Sequence, residues 1–120
     1  MKTKLIVSEI NHYWIHFHAG HSENSLIHPT AIVKCYHDDD LVVQLNFYPD
    51  NEKLPENYQD VKSKLVYLRY HLMMYPNIID ILRNEKPIYF SYSDKSKGGY
   101  VRTGKEPIGE GENDADFVRA

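Results

Sequence analysis

The chain has 120 residues, 42% of them hydrophobic, and a formal net charge of −3. That length suits one domain, able to bury roughly two thirds of its unfolded surface in a single core. The apolar content excludes the disordered class, and no apolar run approaches the roughly 18 residues of a membrane-spanning helix.

The charge is uneven. Lys105 to Ala120 holds five acids and two bases and accounts for the whole net charge of −3, which leaves residues 1–104 balanced. This predicts a globular domain over 1–104 and an acidic, mobile tail over 105–120, the tail serving as a second contact element or as a solubilising end. A neutral body with an acidic end is a poor footprint for duplex nucleic acid. Cys35 is the single cysteine, so no internal disulfide forms and a reducing cytoplasm is the expected compartment.

"MKTKLIVSEINHYW" has two lysines and a short apolar patch, but no long apolar region or small-residue cleavage site, and is not read as a signal peptide. Leu5, Val7, Tyr13, Ile15 and Phe17 keep one parity across Asn11. One long strand, bent near Glu9 to Asn11, is therefore expected, followed by the polar loop "AGHSENS". In "TAIVKCYHDDDLVVQLNFY", Ala31, Val33 and Cys35 alternate on one arm of a hairpin, and Leu41, Val43, Leu45 and Phe47 on the other. Asp38 to Asp40 mark the turn, where short polar side chains tolerate positive φ. Cys35 is expected to be a small core residue.

"PDNEKLPENYQD" reads as a loop. "KSKLVYLRYHLMMY" fits two periods. Val61, Leu65, Leu68, Leu72 and Tyr75 fall on a helical stripe; Val66, Leu68, Tyr70, Leu72 and Met74 alternate with Tyr67, Arg69 and His71 as in a strand. Pro76 disfavours a helical Tyr75 and suits the first residue of a new helix, which favours the strand. "PNIIDILRNEK" follows as a short helix with Asp80 early and Arg83 and Lys86 late, ended by Pro87. "PIYFSYS" and "GYVRT" are strands joined by "DKSKGG", whose glycines are expected to supply the unusual φ. Pro107 and Ile108 are the part of the tail that could dock.

The predicted class is α+β, mostly β: a curled antiparallel sheet or partly open barrel with one short helix, in the order β-β-β-β-α-β-β. Ten tyrosines against four phenylalanines and one tryptophan fit half-wet sheet surface. Exposed strand edges also allow a homo-oligomer by sheet pairing.

"HYWIHFH" is the segment most open to a functional reading, set against the plainer one that its histidines are solvent-facing strand residues. On a strand, His12, Trp14, His16 and His18 share one face and Tyr13, Ile15 and Phe17 the other, which is the natural core face. Tyr67, Arg69 and His71 share the outward face of the later strand. If the two faces adjoin, they make one His/Trp/Tyr/Arg patch with Trp14 near its centre, built from residue types enriched at binding hot spots. The expected role is a binding or regulatory module for a protein partner or ligand. A single-strand nucleic-acid binder stacking bases on Trp14 and Tyr67 is a further reading.

The alternative is a metal-dependent enzyme or sensor. His16 and His18 form an H-x-H pair about 7 Å apart along a strand, which suits two ligands of one zinc or iron ion. The third ligand would be His12, His21, Glu23 or His71. "HFHAGHSE" resembles the H-x-H and following Glu of the first cupin motif, which implies a metal at His16, His18 and Glu23 on a β-barrel. The motif's flanking glycines are replaced by Ile10 and Thr30, and its second half is missing. No nucleophile elbow, P-loop or dinucleotide fingerprint is present, and no catalytic residue is assigned.

Overall fold

The computed structural model describes residues 4–19, 28–105 and 108. Its strands are β1 (Leu5–Ile10), β2 (His12–Phe17), β3 (Ala31–His37), β4 (Asp40–Tyr48), β5 (Tyr58–Gln59), β6 (Val66–His71), β7 (Ile88–Ser93) and β8 (Gly99–Thr103). A single turn of 3-10 helix, Leu72–Met74, leads into α1 (Tyr75–Asn84). The fold is α+β and mostly β, but it is two sheets, β1-β7-β8 and β2-β3-β4-β6-β5, that do not close into a barrel.

Alternation placed the hairpin strands correctly except near the turn, where a bulge beside Cys35 shifts the register and Val42, not Leu41, packs against the core. Ala31, Val33 and Cys35 on β3 and Val43, Leu45 and Phe47 on β4 are fully buried, and the chain reverses through Asp38 at φ 57°. Val66 and Leu68 join them from β6, so the strand reading of this segment holds from 66 to 71. Phe90 and Tyr92 line the core from β7, and α1 adds Ile78, Ile79 and Leu82. The core lies between the sheets and is closed by the helix.

Four local expectations need correction. First, β1 and β2 do not share an inward parity. Ile6 and Ile10 face the core on β1, while Leu5 is 63% exposed and Val7 47%. The chain leaves one sheet at Asn11 and enters the other, so the inward side changes from even to odd positions. Asn11 pins that corner: its N–H donates to the Tyr36 carbonyl at 2.8 Å, its Oδ1 accepts from the Asp38 N–H at 2.7 Å, and its Nδ2 donates to Asp38 Oδ1 at 2.9 Å. Phe17 keeps the inward parity of β2 but is 58% exposed, laid edge-on against Tyr75 at 5.1 Å.

Second, β6 runs parallel to β4. The 49–57 segment returns the chain to the start of β4 before β6 begins, and it includes the approach to a two-residue strand, β5, that pairs antiparallel with β6. Third, α1 begins at Tyr75, whose φ of −56° and ψ of −48° are helical despite Pro76. Asp80 therefore falls mid-helix, where it accepts from Asn84 Nδ2 at 2.7 Å, and Lys86 lies beyond the last turn. Fourth, Ile108 is fully exposed, so it does not dock; Pro107 lies outside the described residues.

The "DKSKGG" turn solves its geometry differently from expectation. Lys97, not a glycine, takes the left-handed conformation at φ 64°. Gly99 serves another need: a Cβ there would sit 2.5 Å from the Ser91 carbonyl oxygen and 2.7 Å from Leu68 Cδ2, where the two sheets approach each other. Gly99→Ala is accordingly expected to lower stability by about 1–3 kcal/mol, the range for overpacking a filled site. An unchanged urea midpoint would show that the sheets have slack at this contact.

Candidate functional site

The five-stranded sheet has one face in the core and one turned away from it, and on the latter Asn46 and Tyr48 are nevertheless buried. Tyr13 and Ile15 of β2 pack on the core, so His12, Trp14 and His16 project from the other side. Register then carries this outward face across the sheet. Trp14 pairs with Lys34, Lys34 with Gln44, Gln44 with Tyr67, and Tyr67 with Tyr58. The adjacent row runs from His16 through Ile32 and Asn46 to Arg69. The two groups singled out from sequence thus lie on one side of one sheet. They are separated by β3 and β4, about 14 Å from β2 to β6 at ordinary strand spacing. Trp14 is on the edge strand, not at the centre; Gln44 and Asn46 occupy the middle, with Gln44 Nε2 donating to Asn46 Oδ1 at 3.0 Å.

At the β2 end, Trp14 is 50% exposed. Its Nε1 donates to the Tyr36 hydroxyl at 2.8 Å, its ring lies 4.3 Å from that of His16, and Lys34 Nζ sits 5.4 Å from its centroid. The indole is held in place while half its surface stays wet. His16 is half-buried, and its Nε2 is hidden from solvent without a hydrogen bond. His12 Nδ1 lies 3.0 Å from Asn11 Oδ1, and the His18 ring is 6.2 Å from that of His28.

At the β6 end, three tyrosine rings surround Arg69. Its Cζ lies 6.0 Å from the ring of Tyr48, 5.2 Å from Tyr58 and 5.7 Å from Tyr67. Tyr58 and Tyr67 stack at 4.8 Å with an interplanar angle of 7°. Burial is the main influence raising the Tyr67 phenol, followed by the nearby Tyr58 and Asp60, while Arg69 acts in the opposite direction. Asp60 itself is held below the usual carboxylate range by the Ser63 N–H and hydroxyl, which donate to its Oδ2 at 2.8 and 2.9 Å. His71 does not join the cage; its Nε2 donates to the Glu52 carbonyl at 2.9 Å.

The proposed metal set does not assemble from the described residues. No group of three His, Cys, Asp or Glu side chains among them is close enough to hold an ion. His71 is three strands from His16 and is engaged by the 49–57 segment. His21 and Glu23 lie outside the described residues.

Sequence reasoning missed Lys34, Tyr36, Gln44, Asn46, Tyr48 and Tyr58 on this face. The first five alternate with the inward residues of β3 and β4, so parity contained the signal. Tyr58 sits in a stretch that reads as loop, and only its pairing with β6 brings it in. A separate cleft of about 230 Å³ lies between the β1–β2 corner and the end of α1, lined by Glu9, His12, Arg83 and Lys86 among others. It is smaller than the roughly 300–1,000 Å³ usual for small-molecule sites.

No helix among the described residues is long and apolar enough to cross a membrane. No protein-family model, no curated protein and no solved structure matches the chain.

Proposed function

We propose that the protein is a small binding or regulatory module that docks a protein partner on the outward face of its five-stranded sheet. We place it in a reducing cytoplasm, where buried Cys35 remains a thiol. One observation carries the reading: the register puts Trp14, half exposed, and Arg69, ringed by tyrosines, on the same outward face. Trp, Tyr and Arg dominate binding hot spots because each offers a large, fairly rigid surface with a polar handle.

The test compares proteins retained by the immobilised full chain, by Trp14→Ala and by Tyr100→Ala. Tyr100 is exposed on the other sheet and serves as the control. A partner of this face is expected to bind Trp14→Ala at least tenfold more weakly, a loss of about 1.4 kcal/mol, and Tyr100→Ala unchanged. If no retained protein distinguishes Trp14→Ala from the parent chain, the face is not a docking surface.

A further inference from the structure

We infer that the Arg69 guanidinium in its tyrosine cage is the docking point for a carboxylate, and that the segment this face accepts is an extended acidic peptide. The inference rests on the reading of the sheet face as a binding surface.

Arg69 is half-buried, and the three rings around it attract its charge through their π faces. They supply no negative charge. Nη1 donates to the Tyr48 hydroxyl at 2.9 Å, while Nε is hidden and bonded to nothing. None of the hydrogen bonds and ring contacts of Arg69 is to a described carboxylate. A planar guanidinium matches the two oxygens of a carboxylate in a forked pair. Here Tyr48 holds Nη1, the Tyr58–Tyr67 stack forms a wall beside the guanidinium, and the Arg69 backbone N–H donates to Asn57 Oδ1 at 2.7 Å, which anchors the strand beneath it. A donor positioned in advance loses little freedom on binding.

The rest of the face supports an anionic, extended occupant. Its outward positions on β2, β3 and β6, and on β4 from Gln44 onward, carry no acid, in a chain whose net charge is −3; Asp60, just beyond β5, is the carboxylate that acts on the cage at Tyr67. Lys34 is its second fixed cation. From strand spacing and rise, Lys34 and Arg69 stand about 12 Å apart, close to the span of four residues of extended chain. Two cations suit two acids on one peptide, whereas a nucleic-acid backbone is tracked by a longer series of positive groups.

The probe is a capped pentapeptide with glutamate at both ends and serine between, read by the Arg69 Nε–H resonance in nuclear magnetic resonance titrations of the full chain. Saturable shifts are expected with this peptide and none with its glutamine counterpart. Arg69→Lys, which keeps the charge but removes the fork, is expected to weaken binding at least tenfold, measured by the shifts of Gln44 and Asn46. Arg102→Gln is expected to change nothing, because Arg102 stacks on Tyr89 in the other sheet.

Equal binding of the glutamine peptide, or equal loss in Arg69→Lys and Arg102→Gln, would overturn the site. So would tighter binding of inorganic phosphate or of a ten-residue oligothymidylate. If the peptide binds only after Glu106, Glu110, Glu112, Asp114 and Asp116 are changed to their amides, the occupant is this chain's own tail and the external peptide is excluded. A partner that needs Trp14 but tolerates Arg69→Lys would leave the docking face standing and remove the carboxylate site alone.

Discussion

Raising the pH from 8 to 11 is expected to cost the fold about 4 kcal/mol from two buried groups, at about 1.36 kcal/mol for each tenfold difference in proton affinity between folded and unfolded chain. Burial pushes the Cys35 thiol from 9.0 up to about 12, and burial, with the nearby Cys35, pushes the Tyr70 phenol from 10.0 up to about 12. Both groups are neutral when protonated. Below pH 9 neither state ionises them and their contribution is fully present. Above it the unfolded chain sheds protons that the native chain keeps, so stability falls as pH rises towards 12. Cys35 accounts for about two thirds of the loss by the same relation. Urea midpoints at pH 8 and pH 11 measure the loss, and Cys35→Ala should remove about 2.6 kcal/mol of it. Identical parent midpoints at the two pH values would mean that neither group is sealed from water. Native Cys35 should also resist thiol reagents at pH 8, because the thiolate is the reactive form.

Phe47→Ala is expected to cost about 3–5 kcal/mol, the range for deleting a buried aromatic ring. Phe47 is fully buried; its ring stacks on Tyr70 at 5.4 Å and meets the edge of Tyr75 at 5.2 Å. It therefore links the middle of the five-stranded sheet, a neighbouring strand and the first residue of α1. Removing it opens a cavity under the helix start. Phe17 touches the same Tyr75 from outside and is mostly in water, so Phe17→Ala should cost no more than about 1 kcal/mol on the area it buries. Comparable losses for the two variants would show that the helix start is held from outside the sheet, contrary to the packing described.

Much of this arrangement was legible because side-chain direction in a strand has a period of two. That period assigns Val33, Cys35, Val43, Leu45, Val66 and Leu68 to the interior and Trp14, Arg69 and His71 to the outside. It does not state which strand lies beside which. The parallel pairing of β4 with β6 depends on a 17-residue connection whose route is set by side chain to backbone bonds, such as Asp50 Oδ1 to the Met73 N–H at 2.8 Å. The change of parity at Asn11 was equally hidden, since a single polar residue between two apolar runs fits a bend within one sheet as well as a passage between two. The Arg69 cage needed Tyr58, and two residues of strand are too short to leave a periodic trace. The metal reading arose from three residues at suggestive spacing, of which Glu23 lies outside the described residues.

The three-stranded sheet joins distant parts of the chain. Leu5 faces Ser93, Ile10 faces Ile88, and the Lys4 N–H reaches Asp94 Oδ1 at 2.9 Å. During synthesis on the ribosome, β1 can find its native neighbour only after the next eighty or so residues have emerged. Contacts this remote demand a large loop-closure entropy and slow the search for the native state. Meanwhile the edge bearing Leu5 and Val7 stays open to pairing with other chains, which makes the interval before β7 arrives the period of greatest exposure to aggregation.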